Sequence, residues 1–305
     1  MVLYRPFDVR PCYFDDFFIH RLSNMPSIFP DAHAKNILIA TNGTGARSVS
    51  VMASKYPVDF HFLESGARCF PRDCFADIDE DLFAVDDKTQ HSQEKRRNGI
   101  VSQLTNITKL KAVTFDDAMS YAYAICHHDK YRNKYNNNLL RNAPRIPIIE
   151  NSAQVSELIV AGRQLIELHA DFESAEQYPV TLISPSILIS DPISEAKKYR
   201  VHKMKFAGTR GSEDKSTVIY NEHIAIKNIP LEANEYVVNG KPALEWVMER
   251  QCVKVDKDSG IVNDANDYAN ETMNNPAYPL ELFQRVITVS LETMKIVRSL
   301  PKLDL

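Results

Sequence analysis

Seven apolar residues near the end of the chain, Leu280, Phe283, Val286, Ile287, Leu291, Met294 and Val297, recur at helical spacing, with Pro301 just beyond them. They make one wide stripe on a helix, and such a face has to be covered by other elements, so this segment belongs to a packed core. The segments before it decide the class. From Val2 to about Phe75, short apolar or alternating runs broken by turn residues (37–41, 49–53, 58–63 and 69–75) read as strands. Thr114 and Asp117 form a capping box that opens a helix through Ala118, Tyr121, Ala122 and Ile125. A second helix carries Lys130 to Tyr135. Pro144 and Pro147 then force an extended crossing, because each disfavours helix at the residue before it. A third helix, with Val155, Leu158, Ile159, Leu165, Ile166 and His169 at helical spacing, runs from Ser152 to about Phe172. Strands return over 180–189, 199–206, 217–220 and 223–226, and Pro242 sits in the first turn of a helix through Trp246. The order predicts an α+β fold: a mixed β-sheet region with helical support segments. Its parts are a strand-rich region over 1–110, a helical segment over 111–175, and strands with closing helices over 176–305, forming one composite domain. The charged stretch from Asp77 to Arg97 reads as a solvated connection.

Composition excludes more than it assigns. With 44% hydrophobic and 25% charged residues in 305, the chain resembles an ordinary globular protein. No run approaches the roughly 18 apolar residues of a membrane span. Arg5, Asp8 and Arg10 also interrupt any signal-peptide core, so a cytoplasmic protein without a membrane partner is expected. Five scattered cysteines fit reduced thiols, and the close pair Cys69 and Cys74 lacks the second pair a zinc site needs. The net charge of −4 argues against coating nucleic acid by overall field. Only nine glycines are available for phosphate-cradling loops.

Two segments imitate a DNA methyltransferase. Asn42-Gly43-Thr44-Gly45 follows a strand, as a cofactor loop would, but lacks the acidic residue and aromatic lead-in of a methyl-donor loop and reads as a plain turn. Asn275-Pro276-Ala277-Tyr278 is close to the loop that holds a flipped base, yet the polar run from Asn263 to Glu271 before it is no buried strand. It reads as the lead-in to the last helix. No nucleophile and base assemble elsewhere, and no catalytic or metal-ligating residue is assigned.

Two patches have chemistry suited to DNA. Between Ala196 and Gly211 stand Lys197, Lys198, Arg200, Lys203, Lys205 and Arg210 with no acidic residue; phosphate contact and a merely solvated strand both remain open on this pattern alone. The first strand region carries Asn42, Thr44, Arg47, Lys55, Arg68 and Arg72, and arginine and asparagine have the planar forks that match guanine and adenine edges in the major groove.

Longer blocks carry a resemblance. Tyr4-Arg5-Pro6-Phe7-Asp8-x-Arg10 resembles the junction where the methyltransferase domain of many restriction–modification enzymes meets its target-recognition domain. Tyr121 to His127, Tyr131-Arg132-x-x-Tyr135, Pro144-Arg145-Ile146-Pro147 and Ala161-Gly162-Arg163-Gln164-Leu165 continue it. So do Tyr236-x-Val238-Asn239-Gly240-x-x-Ala243-Leu244-Glu245-Trp246, Ser259-Gly260-Ile261-x-Asn263-Asp264 and Arg285-Val286-Ile287-Thr288-Val289-Ser290. In this order, across nearly the whole chain, they are similar to the C-terminal specificity domain of the single-polypeptide Type ISP restriction–modification enzymes.

The resemblance implies a module that reads double-stranded DNA for a neighbouring adenine methyltransferase and a helicase and nuclease of the same polypeptide. It implies no catalysis by this chain alone. S-adenosylmethionine, ATP and Mg would bind on those other domains, and none in this chain. A Met1 start directly before the junction block suggests an excised fragment or a split gene. The alternatives are a self-sufficient adenine methyltransferase, using the Gly43/Gly45 turn and the Asn275 loop, and a scaffold that joins subunits without touching DNA.

Overall fold

The computed structural model describes residues 1–15, 17–19, 22–75, 104–106, 113–184 and 194–305. The charged stretch 77–97 lies outside them, as does the part of the expected 180–189 strand beyond residue 184. The fold is α+β, and its packing divides into two compact units.

The first unit comprises Met1–Arg5, Val9–Ala170 and Ile296–Leu305. Its sheet has β3 (Leu38–Thr41) between β4 (Val51–Ser54) and β5 (Arg68–Pro71), all antiparallel, after a short β1 (Val2–Arg5), β2 (Asp8–Arg10) and α1 (Met25–Ile28). Every residue of β3 and β4 is buried, so these strands read as continuous apolar runs instead of alternating ones. Three helices pack with the sheet: α2 (Phe115–His127), α3 (Asp129–Leu139) and α4 (Ser152–Ala170). The Thr114/Asp117 capping box forms as expected, with each side chain bonded to the other residue's backbone N–H. The chain crosses extended through Pro144 and Pro147, where Tyr131 and Tyr121 donate to the carbonyls of Arg145 and Pro147. These two buried tyrosines bring the backbone groups of an irregular crossing into the core with partners.

Residues 58–63 are a turn, not the expected strand. Asp59 accepts from the N–H groups of His61 and Phe62, and Phe62 and Leu63 are both buried although adjacent, which no two-residue alternation allows. Only Val58 bridges, in parallel, to Leu3.

The second unit comprises Pro6–Asp8 and Asp171–Lys295. Its sheet runs in the order β6 (Thr181–Ile183), β9 (Ala225–Lys227), β8 (Ser212–Ile219), β7 (Lys205–Thr209), all antiparallel. The expected strand over 199–206 is instead a short helix, α5 (Glu195–Tyr199), and a bend leading into β7. Ser194 starts that helix, its carbonyl accepting from Lys197 and Lys198. A tight hairpin, β10 (Val237–Val238) and β11 (Lys241–Pro242), turns at Asn239-Gly240 with both residues at positive φ, as a type I′ turn requires. Pro242 is then the N-cap of α6 (Ala243–Arg250), one place before the first turn. Trp246 donates from Nε1 to the Val238 carbonyl, locking helix to hairpin. After β12 (Val253–Val255), β13 (Val262–Asp264) and a one-turn α7 (Ala265–Asp267), the closing helix α8 spans Tyr278–Ser299, its apolar stripe buried at Leu280, Phe283, Val286 and Ile287.

The junction block has a structural reason of its own. Phe7, at φ 60°, is fully buried edge-on against Phe172 and Tyr236, and the buried Asp8 carboxylate takes the Arg250 guanidinium at 2.9 Å.

Candidate nucleic-acid interface

The first-unit candidates surround the turn between β3 and β4. Asn42 is 3% exposed; its Oδ1 accepts from Ser50 N–H and its Nδ2 donates to the Gly43 carbonyl. It closes the turn and does not face solvent, which corrects its expected place among the surface groups. Gly43 lies so close to the next loop that a Cβ would stand 1.8 Å from the Ser65 carbonyl oxygen. The N–H groups of both glycines are engaged by protein carbonyls, Gly43 with Glu64 at 3.1 Å and Gly45 with Leu140 at 3.0 Å. A phosphate cradle needs such groups free. This turn uses them to seat itself.

That seating projects the turn's remaining side chains. Glu64 accepts from the Arg47 backbone N–H at 2.8 Å and meets its guanidinium at 3.3 Å, yet the Arg47 side chain is 92% exposed. Arg68, paired across the sheet from Thr41, donates to the Thr44 hydroxyl, which in turn donates to the Arg141 carbonyl. Arg132 reaches the Val49 carbonyl at 2.5 Å. Arg72 is turned onto Asp73 at 2.9 Å, and Lys55 lies over the Tyr56 ring. Thr44, Arg47 and Arg68 are therefore brought together, whereas Arg72 and Lys55 lie on other segments. The backbone of Leu140 and Arg141 meets the same turn, and Asn136, Asn137, Asn138, Arg141 and Asn142, on either side of that contact in sequence, are exposed. The sequence analysis did not single them out, because an amide run at a helix end looks like any solvated surface.

In the second unit the basic candidates are spread over several elements. Lys197 and Lys198 are exposed on α5, Lys198 over the Tyr199 ring. Arg200 pairs with Asp264 at 2.5 Å, which removes much of its charge from use. Burial pushes Asp264 up, but hydrogen bonds from Asn266 and Arg200 outweigh it and hold the carboxyl below its ordinary range. Lys203 is exposed on the bend, Lys205 opens β7, and Arg210 stands at the tip of the β7–β8 hairpin. The expected alternation along one strand is replaced by a helix, a bend and a hairpin tip.

The Asn275 loop starts α8. Asn275 accepts from Ala277 and Tyr278 N–H and donates to Glu281, while the Tyr278 hydroxyl is buried against Glu173 at 2.7 Å. A tyrosine held this way is packed inward and not offered to a base. Among the described residues, no three His, Cys, Asp or Glu side chains group as metal ligands, and no helix is long and apolar enough to cross a membrane.

Three solved structures are similar over almost the entire chain. A nuclease-deletion mutant of the Type ISP restriction-modification enzyme LlaGI, in complex with a DNA substrate mimic, is 32% identical over 99% of this chain, with a TM-score of 0.77. The ATP-dependent Type ISP restriction-modification enzyme LlaBIII, bound to DNA, is 30% identical over 99%, with a TM-score of 0.80. DrdV, in a complex with DNA, is 27% identical over 100%, with a TM-score of 0.81. This chain spans only 24%, 18% and 28% of those proteins, respectively. No curated protein sequence matches. The model of the Type ISP C-terminal specificity domain matches residues 1–282. The chain belongs to the Type ISP C-terminal specificity domain family.

Proposed function

We propose that this chain is the sequence-specific double-stranded DNA recognition module of a restriction–modification enzyme. It directs an adenine methyltransferase and a helicase and nuclease of the same polypeptide to a target. The observation that carries this reading is the likeness of 30% identity or more, over 99% of the chain, to Type ISP enzymes solved with DNA. S-adenosylmethionine, ATP and Mg belong, on this reading, to the other domains. Thr44, Arg47 and Arg68 supply base-edge and nearby phosphate contacts, and Lys197, Lys203, Lys205 and Arg210 supply phosphate contacts. The test is a low-salt titration against random duplexes with sequencing of what is retained. Enrichment of one asymmetric motif supports the reading, and retention without enrichment refutes sequence recognition.

The roles separate by mutation. Arg47→Ala removes a fork that Glu64 holds extended into solvent, so it should relax preference at one position by roughly 1–3 kcal/mol. Lys203→Ala should weaken binding to all duplexes alike and reduce the salt slope by about one. Equal loss across sequences from both variants would remove Arg47 from base reading.

A further inference from the structure

We infer that the C-terminal end of α3 is a second base-reading element, with Asn137, Asn138 and Arg141 contacting base edges in the major groove beside the Arg47 turn. This rests on the recognition reading above and assigns it residues that sequence reasoning did not. Three observations converge on it.

The first is chemistry. Asparagine forks match adenine N6/N7 and arginine forks match guanine O6/N7. All three side chains are exposed, and none is engaged by another side chain or carbonyl among the described residues. Arg47, Arg68 and Arg141 with Glu64 give this patch a net positive charge, in a chain whose total is −4.

The second is the state of the helix end. Terminal helix carbonyls carry partial negative charge that repels phosphate. Here the Asn136 and Asn138 carbonyls accept from the N–H groups of Leu140, Arg141 and Asn142, and just past the helix end a distant segment covers the next two, the Leu140 carbonyl accepting from Gly45 N–H at 3.0 Å and the Arg141 carbonyl from the Thr44 hydroxyl at 3.3 Å. With those four carbonyls engaged, the exposed side chains at this end are the amides of Asn137, Asn138 and Asn142 and the guanidinium of Arg141.

The third is rigidity. The first half of α3 is held by the 301–305 segment, with His128 on the Pro301 carbonyl at 3.0 Å and Lys130 on the Leu303 carbonyl at 2.5 Å. Arg132 anchors it to Val49, and the helix kinks at Tyr135 (φ −109°, ψ 16°), so the turn carrying Asn137 and Asn138 is aimed separately from the anchored half. The backbone of this turn is thereby placed before binding, and the ordering cost that remains is that of the three exposed side chains.

The test selects random duplexes with the full chain and with Asn137→Ala/Asn138→Ala, Arg141→Ala and Asn138→Asp. The double variant should lose about 5- to 150-fold of its preference at one adenine-bearing position, and Arg141→Ala a similar factor at a guanine. Binding to a non-target duplex should stay within about twofold for the double variant, since uncharged amides add nothing to counterion release. Asn138→Asp keeps the side chain's size and should move preference toward cytosine, whose N4 amino group donates to a carboxylate. A folding defect does not produce a new preference. An unchanged motif in all variants overturns this inference and leaves the recognition reading standing. A wild-type chain that enriches nothing overturns both.

Discussion

Gly162→Ala is expected to cost the first unit about 3 kcal/mol, the upper end of what overpacking a tight contact costs, or to prevent it from folding. Gly162 lies in the middle of α4, where alanine would ordinarily gain up to about 1 kcal/mol in helix propensity. Packing reverses that sign. A Cβ at Gly162 would stand 1.8 Å from the Ser120 carbonyl oxygen and 2.5 Å from its carbon, both backbone atoms of α2. No side-chain rotation relieves such an overlap, so α2 and α4 would have to move apart. Between them lies the core of Tyr121, Tyr123, Ala124, Leu158 and Leu165, all buried. Arg163→Ala, at the neighbouring position, is the control. It removes an ion pair with Asp117 whose arginine is half exposed, and it should cost less than about 1 kcal/mol. Urea denaturation of both variants checks this. A Gly162→Ala protein as stable as wild type would mean that the two helices do not approach this closely.

The same pair of positions shows what kinds of structure a sequence discloses. Local signals were legible: the Thr114/Asp117 box begins α2 where its spacing places it, and the stripe from Leu280 to Val297 lies within α8. Nothing local marks Gly162 as a helix contact, because its reason is a carbonyl some forty residues away in sequence. The misread segments fail for a related cause. The run 58–63 is apolar enough for a strand, but Asp59 bonds its own following backbone and folds the run into a turn. The segment 195–199 offers a serine followed by glutamate, a helix start that the basic residues after it obscured. In the candidate interface, Arg47 and Lys203 are at the surface, as a DNA contact would need, whereas Asn42 is buried, since a side-chain amide that closes a turn and one that faces solvent are the same letter. The Asn137, Asn138 and Arg141 edge depends on a contact between residues about a hundred positions apart, which the sequence does not announce.

Acidification from pH 7 to pH 4 should destabilise the first unit through two buried histidines. The Tyr123 hydroxyl accepts from Ala53 N–H at 2.9 Å and is hydrogen-bonded to His169 Nδ1, 2.6 Å away. His169 is fully buried and neutral at pH 7. His127 Nδ1 donates to the Tyr123 carbonyl at 2.9 Å, and the two rings lie 5.4 Å apart. Burial pushes the His127 pKa down to about 4, with the Arg132 charge adding to the effect against the backbone bond, which favours protonation. Burial and then the neighbouring His127 push His169 well below its ordinary value. Because the folded values are depressed, the unfolded chain binds more protons as soon as the pH falls below about 6.5. Their stabilising contribution is therefore complete above that pH and is lost on descending toward 4, by on the order of 3 kcal/mol for His127 alone. Carboxylates held below their ordinary range, such as Asp264, release their contribution only at lower pH, so the two losses are separable. The measurement is the urea midpoint between pH 7.5 and 4 for wild type and for His127→Asn, whose amide keeps a donor near the Tyr123 carbonyl but does not titrate. The variant should start less stable at pH 7.5, through lost ring packing, and fall less steeply between pH 6.5 and 4. Parallel curves for the two proteins would assign the acid sensitivity to other groups and remove the histidine pair as its source.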